Sequence, residues 1–165
     1  MHQNPQPVDT LARGETRLHV GLGAPDLAAS IAFYRALFGS EPTKQRVDYA
    51  KFEPDVPRVN LTLVERPGPV PAAVDGSQHF GLQVDSAAAL ERIVERMRDA
   101  GLDGRPEPAT TCCYGLQDKV WFDDPAGNAW EVYVLLADAD RLTPDSGTCC
   151  VDAAGVNPET GSGCC

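Results

Sequence analysis

Cations are scarce in this chain. Its 14 Lys and Arg stand against 24 Asp and Glu, a formal charge of -10 over 165 residues. A surface so poor in basic residues offers little to a phosphate backbone or an anionic lipid, so neither nucleic acid nor a membrane surface is expected as a partner. Long apolar runs are missing too: nothing approaches the ~20 apolar residues that a membrane-spanning helix needs. Residues 1–16 lack the apolar stretch of a secretory leader, so a cytoplasmic location, where thiols stay reduced, is expected. Isolated cysteines are absent. All six fall in adjacent pairs, Cys112–Cys113, Cys149–Cys150 and Cys164–Cys165. A disulfide between neighbours closes a small strained ring, so the even count does not read as a disulfide framework. Adjacent reduced thiols read instead as a site for a soft metal or metalloid. Histidine is rare as well, with His2, His19 and His79 the three in the chain.

What is present is an ordinary apolar content of 42%, enough for one core without cross-links. Residues 1–16 are polar and carry Pro5 and Pro7, which reads as a disordered lead-in containing the uninvolved His2. From Arg17 to Leu22 the chain alternates, with Leu18, Val20 and Leu22 on one face and His19 on the other. Asp26 is placed to cap a helix that carries Leu27, Ile31, Tyr34, Leu37 and Phe38 at helical spacing and stops at Gly39. Strands are expected over 46–52 and 60–66, separated by Pro54 and Pro57. Residues 67–76 are rich in Pro, Gly and Ala and read as a linker. The opening pattern then returns. Phe80, Leu82 and Val84 alternate with His79, Gly81 and Gln83. A helix capped by Asp85 or Ser86 follows, with Leu90, Ile93, Val94 and Met97 as its buried stripe and Gly101 as its end. Strands are expected over 110–114, 119–122 and 129–136, with a turn at 125–128 before the last.

The sequence is thus a duplication. His19-Val20-Gly21-Leu22 and His79-Phe80-Gly81-Leu82 share the form H-x-G-L, 60 residues apart, and each opens a strand that leads into a glycine-ended helix. The expected architecture is α+β: paired βαβββ modules that enclose an open, metal-containing cleft. The single domain covers 17–137, with modules at 17–66 and 77–137. Residues 138–165 read as a flexible, cysteine-bearing tail. That tail holds five acids and one base, a net of -4, which leaves -6 on the 137 residues before it.

Each histidine lies opposite the apolar stripe of its strand and so faces the open side of its sheet. On the last strand Trp130, Val132 and Val134 share one face, and Glu131 lies on the other with Tyr133 and Leu135. If the open faces of the two modules form one cleft, His19, His79 and Glu131 converge there. Two histidines and a carboxylate with open positions are the facial triad of non-haem Fe(II), and the same ligands also suit Mn(II), Ni(II), Co(II) or Zn(II). Read singly, each of the three is equally well a polar surface position. The matched placement of the histidines in a duplication is what favours the joint reading. Cys112 and Cys113 suit trivalent arsenic or Cd(II). Adjacent side chains of a regular strand point to opposite faces, so the pair is expected at a bulge, a strand end or a loop. The bland alternative is one core cysteine beside a half-exposed one. No role is assigned to Lys119 or Tyr114.

Here a resemblance becomes specific. The duplicated modules with His, His and Glu resemble the vicinal oxygen chelate superfamily, which includes glyoxalase I, fosfomycin-resistance proteins and extradiol dioxygenases. Within it, ATTCCYGLQDKVW at 109–121 followed by DPAGNAWEVY at 124–133 resembles the ArsI/CadI group. So do FYRALFG at 33–39, Glu41-Pro42, DYAKF at 48–52 and PRVNL at 57–61. The resemblance covers about Leu18 to Leu136, and the cysteine segment is its most discriminating part. It implies a C–As lyase that takes trivalent methyl- or aryl-arsenicals and uses Fe(II) and dioxygen to release arsenite. Cys112 and Cys113 would hold arsenic, and His19, His79 and Glu131 would hold iron. Cys149, Cys150, Cys164 and Cys165 would be auxiliary arsenic-binding thiols. The competing expectations are a non-catalytic cadmium or arsenic sequestration protein and another chemistry of the same superfamily, such as that of glyoxalase, a thiol transferase or an extradiol dioxygenase. A homodimer is left open, since either one chain completes the cleft or two chains exchange halves.

Overall fold

The computed structural model describes residues 16–68 and 78–140. The expected lead-in, most of the expected linker and nearly all of the tail, with Cys149, Cys150, Cys164 and Cys165, lie outside the described residues. The first module runs β1 (Leu18–Ala24), α1 (Leu27–Phe38), β2 (Lys44–Arg46), β3 (Tyr49–Phe52) and β4 (Val59–Glu65). The second runs β5 (Phe80–Val84), α2 (Ala87–Asp99), β6 (Arg105–Cys112), β7 (Gly115–Asp123) and β8 (Ala129–Asp138). The sheets have matching orders, β1-β4-β3-β2 and β5-β8-β7-β6. In each, the first strand pairs in parallel with the last and the remaining pairs are antiparallel. The duplication in the sequence is therefore a duplication of topology.

The helices begin and end where short-range chemistry directs. Asp26 accepts a hydrogen bond from the Ala29 N–H at 2.9 Å. Gly39 closes α1 at φ 65°, a left-handed conformation that glycine adopts without Cβ strain. In the second module Ser86, rather than Asp85, is the cap, accepting from Ala89 N–H at 3.2 Å.

Two of the expected strands are rearranged. The single strand over 46–52 is a hairpin, β2 and β3, paired from Lys44 opposite Lys51 to Arg46 opposite Tyr49. β6 begins at Arg105 rather than 110, although it holds Pro106 and Pro108. It is an edge strand, where a missing N–H costs no ladder bond. A register shift between Glu107 and Thr110 takes up the extra residue, with Ala109 at φ 48°. The same strand ends at Cys112, so Tyr114 is in a turn and not in the strand expected over 110–114.

One core joins the modules. It contains Phe33, Tyr34, Leu37, Phe52, Leu61 and Leu63 from the first, and Met97, Phe122, Trp130 and Val132 from the second. Among the described residues two polar ties cross the join. The Tyr34 hydroxyl donates to Asp124 Oδ2 at 2.5 Å. Asp124 in turn organises the 124–128 turn, its Oδ1 accepting from Ala126 N–H and Asn128 N–H at 2.9 and 2.8 Å. Burial, reinforced by the Asp124 charge, pushes the Tyr34 phenol far above its ordinary range. The second tie is Arg96, which donates to the carbonyls of Ala36 and Leu37 at 2.6 and 2.8 Å. It satisfies carbonyls left open at the C-terminal end of α1. Both helices and the apolar face of each sheet pack into this shared core, so the opposite face of each sheet turns outward.

Candidate functional site

The outward face of the second sheet carries most of the candidate chemistry. Register places Gly81 opposite Glu131 and Gln83 opposite Tyr133. Across β8, Glu131 faces Trp121, Tyr133 faces Lys119, and Leu135 faces Gln117. On the edge strand, Glu107 lies opposite Lys119, Thr110 opposite Gln117 and Cys112 opposite Gly115. The face is therefore a ladder of rows, with Glu131 at one end and the thiol pair at the other.

Glu131 is held from two sides. His79, immediately before β5, brings Nε2 to 3.4 Å from Oε1. Lys119 donates from Nζ to Oε2 at 3.1 Å. The lysine side chain is only 1% exposed, and its ammonium also lies 5.4 Å from the centre of the Trp121 ring. The same ring meets His79 edge-to-face at 5.2 Å. Gly81 leaves room for this arrangement, since a Cβ there would come within 3.1 Å of Glu131 Cγ and Oε1. The relief is for the carboxylate. Burial works to raise the Glu131 carboxyl, but the His79 hydrogen bond and the charge and hydrogen bond of Lys119 outweigh it and hold it below the usual range. Burial works to lower the Lys119 ammonium, and the negative charges of Glu131, Cys112 and Glu107 reverse this, leaving it raised. Tyr133 donates to Gln83 Oε1 at 3.1 Å. Its phenol is raised by burial and by Glu131 and Cys113, against the opposing charge of Lys119.

The thiols meet at a hairpin corner. β6 ends at Cys112 and β7 begins at Gly115, so Cys113 and Tyr114 are the two central residues. Both are left-handed, at φ 53° and 62°, as a tight two-residue connection between twisted strands requires. This corner removes the strand geometry that would send the two side chains apart. The sulfurs lie 3.4 Å from each other. Cys112 is buried and Cys113 exposed. The strand end anticipated from sequence is where the pair sits.

His19 is elsewhere. It stands on β1 of the other sheet, its Nδ1 3.1 Å from the Asn60 carbonyl. That contact favours the tautomer with the proton on Nδ1 and leaves the Nε2 lone pair for a ligand. Among the described residues no three or more His, Cys, Asp or Glu are grouped to hold one metal ion. The described residues bring His79 and Glu131 together on the second sheet and place His19 on the first, so whether the three meet through one chain or two is the choice that the sequence left open. The donor types still fit a borderline divalent metal, with His79 Nε2 3.4 Å from Glu131 Oε1 and the Nδ1 of His19 turned to a backbone carbonyl. Cys112 and Glu131 share a face, with their β7 partners Gly115 and Trp121 six residues apart along the strand, and Lys119 between them feels the charge of both.

Trp121 and Gln117 were not singled out by sequence, Lys119 was named without a role, and Gln83 was placed only on the His79 face. The available signal was alternation along β7, which puts 117, 119 and 121 on one face; an expected strand beginning only at 119 hid it.

Comparison with known proteins places this geometry in context. Residues 16–132 match the family model described as Glyoxalase/Bleomycin resistance protein/Dioxygenase superfamily. A trivalent organoarsenical cleaving enzyme of Thermomonospora curvata is 39% identical over 153 residues, covering 91% of this chain and 99% of that protein. The cadmium-induced protein CadI of Mycobacterium bovis is 39% identical over 128 residues, 77% of this chain and 81% of that one. Among solved structures, a glyoxalase/bleomycin resistance protein/dioxygenase from Alicyclobacillus acidocaldarius superposes with a TM-score of 0.58 at 15% identity, over 76% of this chain and 96% of that one. This last likeness is one of fold.

Proposed function

The chain belongs to the glyoxalase/bleomycin resistance protein/dioxygenase superfamily, in its ArsI/CadI group, and on that premise we propose that it is an Fe(II)- and dioxygen-dependent C–As lyase that converts trivalent organoarsenicals to arsenite. The observation that carries the reading is the pair of adjacent sulfurs 3.4 Å apart at the Cys113–Tyr114 corner. Two thiols so placed suit one trivalent arsenic. An organoarsenical with two hydroxyl ligands exchanges both for sulfur, each thiol giving its proton to a departing hydroxide, so that two As–S bonds form and two waters leave. The third valence keeps its carbon. Soft sulfur takes the metalloid, and the imidazoles and carboxylate take the borderline metal.

His79, Glu131 and His19 would hold the iron, which when bound supplies the activation of dioxygen that oxidative C–As cleavage requires. Lys119 restrains Glu131 Oε2, so that Oε1 stays turned toward His79. His19 comes from a second copy in this reading. β1 and β5 are both edge strands, and laying β1 of one chain beside β5 of another brings His19 to the His79–Glu131 pair. The protein then acts as a homodimer with two sites, each built from both chains.

The test is an anaerobic preparation loaded with Fe(II) and given a trivalent methylarsenical. Arsenite is expected only after dioxygen is admitted, and no release above the metal-free control would overturn the proposal. The likeness to a cadmium-induced relative favours a second reading, sequestration by the thiols alone. Replacing His19, His79 and Glu131 together with alanine separates the two, because sequestration would leave cellular resistance intact.

A further inference from the structure

The corner that brings the thiols together is held in an unfavourable backbone conformation, and one buried side chain grips it. Neither Cys113 nor Tyr114 is glycine, yet both sit in the left-handed region, at φ 53° and 62°, where a Cβ crowds the backbone. Gln117, two residues into β7, is 6% exposed. Its Nε2 donates to the Cys112 carbonyl at 3.0 Å in a buried contact. Its Oε1 is also buried and has no hydrogen-bond partner among the described residues. A carboxamide half-satisfied in a buried position is a poor choice for packing, where leucine or methionine would fill the same space without desolvating a carbonyl. The contact it does make is to the residue that carries the first thiol.

The surroundings agree. Gly115 makes room for Leu135, whose Cδ1 would lie 2.6 Å from a Cβ there, and the Gln117 amide and the Cys112 carbonyl close around the same position at 3.4 and 3.5 Å. A register shift between Leu116 and Gln117 marks where the regular ladder gives way to the corner. On the other side of the turn, Ala139 N–H donates to the Tyr114 carbonyl at 2.7 Å. The corner is thus pinned at both ends, by backbone at Tyr114 and by the Gln117 amide at Cys112.

We propose that Gln117 is the positioning residue of the arsenic clamp: its buried amide, bonded to the Cys112 carbonyl, keeps the left-handed Cys113–Tyr114 corner in the form that sets the two sulfurs side by side. This rests on the clamp assigned to Cys112 and Cys113 above. Gln117 acts through the turn and does not touch the arsenic.

The experiment measures binding without turnover, so it does not depend on iron, dioxygen or cleavage. The full-length, metal-free chain, with Cys149, Cys150, Cys164 and Cys165 changed to serine, is titrated anaerobically with phenylarsine oxide, and the thiols protected are counted. Gln117→Met is expected to weaken binding roughly tenfold through the lost amide contact. Adding Tyr114→Gly, which supplies the left-handed conformation without strain, is expected to restore affinity to within about threefold of the parent. Thermal unfolding of each variant shows that the fold is kept; if Gln117→Met does not fold, Gln117→Glu removes the donor at nearly the same size and takes its place. Unchanged affinity in the single variant would overturn the inference. So would a loss that Tyr114→Gly leaves unrestored, since Gln117 would then contact the arsenical itself. A parent that binds no phenylarsine oxide would instead remove the clamp and this inference with it.

Discussion

Lys119 and Glu131 form a nearly buried ion pair, Nζ to Oε2 at 3.1 Å, in the centre of an outward sheet face, with side chains 1% and 12% exposed. His79 lies 3.4 Å from the other carboxylate oxygen. A cation so placed does two things. It helps compensate a carboxylate that burial would otherwise neutralise, and it restricts which oxygen remains for another ligand.

The first prediction is a pH dependence. The Glu131 carboxyl is held below its reference value of 4.5 in the folded protein. Its contribution to stability is therefore complete above about pH 4.5 and lost as pH falls from there through the folded value. Lys119 has the opposite sense. Its folded value is raised above 10.5, so its contribution is complete below that and lost as pH rises through the folded value. Glu131→Gln leaves the lysine buried beside a neutral amide, at a cost of about 3 kcal/mol near neutrality. Urea unfolding of the metal-free protein should show that gap, narrowing as pH falls below 4.5 in the wild type. A gap that stays constant from pH 7 to pH 3 would contradict the assignment.

Tyr34→Phe tests the join between modules. The phenol donates to Asp124 at 2.5 Å inside the core, and its removal leaves the carboxylate three donors, from Ala126, Asn128 N–H and Asn128 Nδ2. Loss of one hydrogen bond to a buried charge should cost about 2 kcal/mol. The urea midpoint should fall with the slope unchanged, and phenylarsine oxide affinity should hold, because Tyr34 lies in the core and not on the thiol-bearing face.

Both results bear on what sequence carries. The two modules were legible because His19-Val20-Gly21-Leu22 and its repeat open matched strands, and because Asp26, Ser86, Gly39 and Gly101 mark helix ends by local chemistry. Cys112–Cys113 was legible as a contradiction, adjacent ligands forbidden by strand geometry, and the left-handed corner resolves it. Lys119 was not legible as a partner of Glu131, since their pairing depends on the register between β7 and β8, which no local pattern encodes. Nor was the placing of His19 relative to His79. Alternation says that each faces away from its own core, and it does not say how the two outward faces stand to each other.

Their placing on two sheets yields the third prediction. If His19 of one chain completes the site of another, His19→Ala and Glu131→Ala chains should complement each other. A heterodimer of the two holds one site with both defects and one with none. Denaturing an equal mixture and refolding it by dilution should leave half the dimers mixed, and arsenite release should reach about a quarter of the wild-type rate from two inactive parents. Sedimentation should give a dimer in each case. A site complete within one chain predicts no recovery.

The last prediction separates the two ends of the face. Cys112 lies opposite Gly115 and Glu131 opposite Trp121, six residues further along β7. The sulfurs sit at the β6–β7 corner and Glu131 beside His79 and Lys119, so arsenic and metal are taken by different donor sets and the two kinds of binding should fail independently. Cys112→Ser replaces a soft sulfur with a hard oxygen of similar size. In the protein with its four tail cysteines changed to serine, it should abolish protection of thiols by phenylarsine oxide, because one thiolate cannot close the two-sulfur clamp. Fe(II) content after anaerobic loading should match the wild type. Glu131→Ala should show the reverse, with arsenical binding retained and Fe(II) lost. If Cys112→Ser also empties the metal site, the thiols and the carboxylate belong to one cluster, and the division of soft and borderline ligands between the two ends of the face is wrong.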